Sequence, residues 1–258
     1  MRRIRQLYRF IWAALHVLFG SFAIRAAALW DRLRGHHVHE GWARRAQARW
    51  CRTMCRILRV RIHVDGEPLA NGPLLVVANH VSWLDIPVIA CHWGVVFLSK
   101  YEVQRWPLIG PAATGLGSLY IERGRKGAAA DATAAIRDRL RAGQRVLFFP
   151  EGTTGDGSQL LPFRPRLYQA ALEASVPVQT LAISYHHRNG EPSSEAAYIG
   201  DDTLLAHFLR VSALPGLDVR VRVGPPLAVE GLNRSELARH TRRHIGALLG
   251  QDELDQVG

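Results

Sequence analysis

Lysine is nearly absent. Lys100 and Lys126 are the only two, so the basic character of the chain rests on arginine. Arginine in place of lysine on that scale, alongside many alanines, fits a biased genomic composition, and part of the positive charge therefore carries no functional message. What remains is large: 33 Lys and Arg against 22 Asp and Glu give a net charge of +11 and a pI near 10.5. That balance suits an anionic partner, whether a membrane surface, a nucleic acid, an acidic carrier protein or a phosphorylated substrate, and does not choose among them. Cysteine is scarce too. Cys51, Cys55 and Cys91 are too few for a disulfide framework and lack the spacing of a zinc site, which fits a reducing cytoplasmic setting. His36, His37 and His39 with Cys51 and Cys55 could be grouped as metal ligands, but a histidine-rich loop beside two helix-face cysteines is the simpler reading, and no metal is expected. No G-x-S-x-G elbow occurs, which argues against a serine-hydrolase site. No internal repeat or low-complexity linker breaks up the 258 residues, a length that suits one α/β domain with an appendage.

The appendage is N-terminal. Phe10 to Ile24 is an uncharged run of fifteen residues between Arg9 and Arg25. A spanning helix needs about 20 apolar residues. The run could make a strained span if Arg9 and Arg25 snorkel to opposite interfaces, but a helix lying in one leaflet is the commoner outcome. A basic start and Ala26-Ala27-Ala28 also mimic a signal peptide, although Arg25 interrupts the cleavage region. A second helix is expected between Glu40 and Arg61, where Trp42, Ala46, Trp50 and Met54 recur at helical spacing among arginines. Two readings are open for it: an interfacial helix, or a helix packing its Trp face on the domain. The pair together reads as a membrane-docking unit over residues 1–59.

Residues 60–250 read as a separate domain. Val60 to Val64 alternates as a strand before the Asn71-Gly72-Pro73 turn, and Leu74 to Ala78, Val95 to Leu98, Ser118 to Ile121, Val146 to Phe149, Val178 to Ser184 and Val219 to Val223 are further strands. Helices are expected from Ile86 to Cys91, from Ala128 to Arg141, from Arg166 to Ala174 and from Ser235 to Leu249. Alternating strands and helices imply an α/β sandwich with a mixed sheet. Residues 251–258 form an acidic tail, expected to fray.

The stretch with most chemistry is Asn79-His80-Val81-Ser82-Trp83-Leu84-Asp85, at a strand-to-helix turn. A histidine can take a proton near neutrality, and a nearby carboxylate can fix its tautomer and stabilise the imidazolium. Asp85 is the candidate carboxylate. An equally physical alternative makes Ser82 an N-cap and Asp85 its capping-box partner, leaving His80 an ordinary turn residue.

Asn79-His80-x4-Asp85 resembles the first signature block of the glycerolipid acyltransferase superfamily, which includes lysophosphatidic acid acyltransferases and a lyso-ornithine lipid branch. Gly117 to Arg123 resembles the second block, Phe149-Pro150-Glu151-Gly152-Thr153 the third and Val176-Pro177-Val178 the fourth, all in order within residues 74 to 185. The resemblance implies transfer of a fatty acyl group from a thioester, acyl carrier protein or coenzyme A, to a lysolipid hydroxyl, with no other cofactor. It makes His80 the general base and Asp85 its orienting partner. It assigns Asn79, Ser82, Arg123, Glu151, Gly152, Thr153, Thr154 and Pro177 to the substrate site, with Arg123 gripping an anionic headgroup and Arg125 and Lys126 close by. The expected partners are a lysolipid, an acyl donor and an anionic membrane surface, and the expected place is the cytoplasmic face of a bacterial-type inner membrane.

One position departs from the pattern. Phosphate-handling members usually continue the third block into an arginine, where this chain has Thr154, followed by Gly155 and Asp156. Arg164 and Arg166 could compensate, which keeps 1-acylglycerol-3-phosphate as the family default. Alternatively Thr154 and Asp156 suit an amine-bearing headgroup, as in lyso-ornithine lipid. A nucleic-acid-binding module rests on pI alone and meets dispersed arginines and no recognised motif, and a non-catalytic membrane scaffold would make His80 dispensable.

Overall fold

The structure is a computed structural model that describes residues 2–35 and 41–251. The histidine-rich loop with His36, His37 and His39, and the acidic tail from 252 onward, lie outside the described residues. In chain order the elements are α1 (Arg2–Leu33), α2 (Trp42–Ile57), β1 (Val60–Gly66), β2 (Leu74–Ala78), α3 (Asp85–Ala90), β3 (Val96–Lys100), α4 (Tyr101–Gln104), α5 (Ile109–Gly115), β4 (Leu119–Ile121), α6 (Ala128–Arg141), β5 (Arg145–Phe148), α7 (Gln169–Ala174), β6 (Val178–His186), α8 (Leu204–Ala213), β7 (Leu217–Val223) and α9 (Arg234–Leu249). The seven strands form one sheet in the order β1-β7-β6-β2-β5-β3-β4. β6, β2, β5, β3 and β4 run parallel, and β7 pairs antiparallel to β6 and parallel to β1. The expected mixed-sheet α/β sandwich is what forms.

Strand composition follows position in the sheet. All five residues of the central β2 are buried, as a strand covered by helices on both faces requires. β7 alternates instead: Leu217, Val219, Val221 and Val223 point inward while Arg220 and Arg222 turn away from the core. Because β2, β5, β3 and β4 are parallel, their carboxyl ends share one edge. That edge presents His80, the loop after Phe148, Lys100 and Arg123, the crevice position where open α/β sheets place ligands.

α1 has 32 residues, about 48 Å of helix, and lies against the domain along that length. Its first turns meet α8 and its later turns meet α2 and α5. Ala13, Ser21, Ile24, Ala28 and Asp31 are buried, while Leu7, Ile11, Trp12, Leu15, Phe19 and Phe22 on the other faces are exposed. The helix is long and apolar enough to cross a membrane, and here it packs one stripe along the protein and leaves its other faces apolar and exposed. Arg9 does not snorkel: it is buried, and its guanidinium donates to the Ser212 and Leu214 carbonyls at 2.8 Å each. Those carbonyls end α8 and form its negative dipole end, which rewards a cation. Burial, and then Arg5 and Arg59, lower the Arg9 pKa to about 10.

α2 packs one of its tryptophans on the protein and leaves another exposed. Trp42 is exposed, whereas Trp50 docks on α1, its indole N–H donating to the His16 carbonyl at 3.0 Å and its ring stacked on the His16 ring. The start of α2 is capped from α1, where buried Asp31 accepts from the Trp42 and Ala43 amides at 2.9 and 2.8 Å. Gly41 leaves room for that carboxylate, since a Cβ there would lie 2.3 Å from Asp31 Oδ2.

Candidate active site

β2 delivers its chain into a turn before α3, and His80 is held there from several directions. Its backbone N–H donates to Glu151 Oε1 at 2.8 Å, and its carbonyl accepts from the Gly155 amide at 2.8 Å. The ring stacks on Phe149 with centroids 3.9 Å apart and planes within 10°. Nδ1 lies 2.7 Å from Asp85 Oδ2. Opposite a carboxylate, Nδ1 carries the proton, which leaves the Nε2 lone pair free on a ring that lines the cleft.

Asp85 is completely buried. A carboxylate there needs full hydrogen bonding, and it has it. Oδ2 accepts from His80 and from the Val81 and Ser82 amides at 2.9 and 3.0 Å, and Oδ1 accepts from the Tyr185 hydroxyl. Asp85 reaches back to the turn amides and orients the histidine, but the capping box does not form, because α3 starts after Leu84 without a side-chain cap and the buried Ser82 hydroxyl accepts nothing. Burial, and then the charge of Asp85, push the Tyr185 hydroxyl well above its ordinary range, so it stays a donor. Tyr185 sits in β6, a hundred residues from Asp85, where no local pattern marks it.

Glu151 turns away from the cleft. Besides His80 it accepts from the Leu161 amide at 3.1 Å, bracing the loop after β5. Burial lifts its carboxyl to about 7 against the pull of those two backbone donors. Gly152 has φ +75°, a left-handed conformation that favours glycine, and a Cβ there would press on Arg164 Nε at 3.1 Å. Gly152, Thr153 and Thr154 line the cleft, but the Thr154 hydroxyl is spent on the Tyr198 carbonyl. Asp156 is exposed and turned onto Ser158, accepting from its amide and hydroxyl at 2.9 and 2.7 Å, so it is not a headgroup ligand in this structure.

Three further candidates fall elsewhere. Asn79 is buried, and its amide group closes a reciprocal pair with the Ile183 backbone at 2.9 and 2.7 Å, fastening β2 to β6. Ser82 is buried, with its hydroxyl off the cleft. Pro177 sits before β6 and accepts from the Leu75 amide at 3.1 Å, at the amino end of the strands and opposite His80. Adjacency in sequence to a site residue does not fix the direction of a side chain, and a sequence block does not say which end of its strand faces a ligand.

The cations converge better than the sequence suggests. Arg123, after β4, and Arg164 both line the cleft, and burial followed by the charge of Arg164 lowers the Arg123 pKa. Lys100, at the end of β3, lines it too, its pKa lowered by burial and then by Arg123. Like charges gathered in this way form a seat for an anion. Lys100 is legible only from topology, since β3 and β4 pair with Lys100 opposite Ile121. Arg125 is engaged by Asp131 and by Glu122 at 3.3 Å. The cleft as a whole is about 1970 Å³, with apolar walls from α1, α2, α5 and α8 meeting this cationic end near His80.

Residues 61–184 match the family model described as Acyltransferase. A lyso-ornithine lipid O-acyltransferase of Pseudomonas aeruginosa is 38% identical over 245 residues, covering 95% of this chain and 93% of that protein. A second protein of that name, from Rhizobium meliloti, is 38% identical over 213 residues, 78% of this chain and 73% of its own. A 1-acyl-sn-glycerol-3-phosphate acyltransferase of Neisseria meningitidis is 32% identical over 190 residues, 72% of this chain and 74% of its own. The crystal structure of the 1-acyl-sn-glycerophosphate (LPA) acyltransferase PlsC from Thermotoga maritima shares the fold with a TM-score of 0.65 at 22% identity, covering 96% of this chain and 98% of that one.

Proposed function

This chain belongs to the glycerolipid acyltransferase superfamily and is a membrane-associated lysolipid O-acyltransferase, and we propose that His80 is its general base and a lyso-ornithine lipid its acceptor. The observation that carries the chemistry is His80 Nδ1 set 2.7 Å from buried Asp85, with the ring bordering the cleft. A thioester is already activated, so the protein's task is to place the acceptor hydroxyl against the carbonyl and remove its proton. Nε2 takes that proton as the oxygen–carbon bond forms. The carbon–sulfur bond then breaks, and the imidazolium returns the proton to the departing thiolate. Asp85 holds the tautomer and balances the imidazolium, Tyr185 positions Asp85, and Glu151 fixes the backbone of the turn.

The acceptor assignment rests on position 154 and on the long-coverage relatives. An ornithine headgroup presents one carboxylate, which a guanidinium can grip bidentately, so Arg123 with Arg164 and Lys100 suffices without an arginine at 154. A second reading, 1-acylglycerol-3-phosphate, is favoured by the same three cations, because together they can balance a phosphate, and by the Neisseria relative. Wild-type enzyme given both lysolipids side by side decides between them. Higher kcat/KM for lyso-ornithine lipid is expected, and Thr154→Arg should shift the ratio toward the phosphate. Preference of the wild type for the phosphate acceptor would reject the ornithine assignment. The net charge of +11 supports an acidic acyl carrier protein as donor through faster encounter. The apolar outer face of α1 supports monotopic seating on a membrane, and a donor of the acyl carrier protein or coenzyme A type supports the cytoplasmic side of a bacterial inner membrane.

A further inference from the structure

A lysolipid acceptor has its reactive hydroxyl between headgroup and hydrocarbon tail. When the headgroup rests on the Arg123 cations and the hydroxyl meets His80, the tail must leave on the other side of His80. The sheet order defines that side: β5, β3 and β4, which lead to Arg123, lie on one flank of β2, and β6 lies on the other. Beyond β6 the chain makes the turn ending at Tyr198, whose amide donates to the Val81 carbonyl at 2.9 Å, and then enters α8.

That flank carries a continuous aromatic wall. Trp83, three residues past His80, stacks on Phe208 of α8 with centroids 6.4 Å apart, and Phe208 meets Phe10 of α1 edge-on at 6.1 Å. The indole is held in place, its N–H donating to Nδ1 of fully buried His207 at 2.8 Å, while His207 Nε2 donates to the Ala196 carbonyl at 3.1 Å. Trp83, Phe208, Phe10 and Leu205 all line the cleft. Leu205 and Phe10 are 56% and 40% exposed, so the wall reaches the apolar outer face of α1, beside the seam where Gln6 and Arg9 donate to α8 carbonyls. A chain drawn laterally from a bilayer would meet these side chains between that face and His80.

Resting on the function proposed above, we infer that the passage between α1 and α8, walled by Trp83, Phe208, Phe10 and Leu205, holds the tail of the acceptor lysolipid. The donor's acyl chain is then left the part of the cleft lined by Val103, Ile109 and Ala112 of α4 and α5. The two hydrocarbon chains thus reach His80 from different sides, and the acceptor can exchange with the membrane while the donor chain stays in place.

The test uses the full-length enzyme in detergent micelles and a lysolipid with a diazirine at its tail end. Acylation of the unlabelled lysolipid by the wild type is measured first, and its failure would overturn the function itself. With activity present, photolabel on Trp83 and residues 204–209 is expected, whereas label on residues 103–113 would overturn the assignment. Leu205→Trp supplies an independent reading at an exposed position. Its added ring should displace tail methylenes and raise the acceptor KM about fourfold for each, the effect of about 0.8 kcal/mol per buried methylene. Donor chain-length preference should not move. A changed donor preference with an unchanged acceptor KM would refute the inference, as would no change in either.

Discussion

Tyr185→Phe removes one oxygen from the interior and tests whether the site extends beyond His80 and Asp85. The Tyr185 hydroxyl is a donor to Asp85 Oδ1, and the other three donors, from His80, Val81 and Ser82, all go to Oδ2. The variant therefore leaves Oδ1 bare. A hydrogen bond to a charged group contributes about 1.5–3 kcal/mol, and the melting temperature should fall accordingly. The kinetic consequence has a definite sign. A carboxylate stripped of a donor is a stronger partner for an imidazolium, so the protonated, inactive form of the base persists to higher pH. If between a third and a half of the lost energy is felt at the ring, the acid limb of kcat/KM moves upward by roughly half a unit to one unit, at about 1.36 kcal/mol per unit. Glu151 is the other acidic group whose charge couples to Asp85, and it is unchanged in the variant. Activity would therefore fall more on the acid side of the profile than on the alkaline side. A lowered melt with an unmoved acid limb would make Tyr185 a packing residue only, and a limb displaced downward would refute the reasoning.

Two further perturbations probe the frame. Burial lifts Glu151 to about 7 from an ordinary 4.5, so its contribution is fully present below pH 4.5 and is lost as pH rises through 7, a decline of about 3 kcal/mol. Glu151→Gln mimics the neutral acid and should abolish that decline, so melts from pH 5 to 8 should diverge from the wild type with rising pH, and a constant gap would contradict the assignment. Gly41→Ala places a Cβ against Asp31, displacing the carboxylate that caps α2 and costing about 1–3 kcal/mol. Calorimetry should show a lowered melt, and an unchanged one would mean that the cap is not needed.

The elements legible in the sequence are those whose burial is written locally. β2, β5 and β6 are short apolar runs between turns, and α6 and α9 carry a 3.6-residue pattern with clear ends. α8 is absent from the sequence reading although it carries a start signal: Thr203 accepts from the Ala206 amide as an N-cap before Leu204-Leu205-Ala206-His207-Phe208. α4 and α5 are too short for periodicity. In the site, His80, Asp85, Arg123 and the Glu151 loop are legible through the resemblance of their motifs to the family's blocks, each of which follows a strand at the same sheet edge. Tyr185 and Lys100 are not, since sheet pairing alone brings them there. Asn79, Ser82 and Pro177 show the converse, with side chains beside a motif turned to backbone, core or the far end of the sheet.

The most direct test is single-turnover acyl transfer from a radiolabelled acyl thioester to lyso-ornithine lipid, wild type against His80→Ala, with the melt of each protein recorded. Loss of a positioned general base predicts a fall of about 10²–10⁴ in the transfer rate in a protein that still melts cooperatively, at a somewhat lower temperature because Asp85 loses a donor. A folded His80→Ala enzyme that transfers acyl groups within twofold of the wild type would contradict the account.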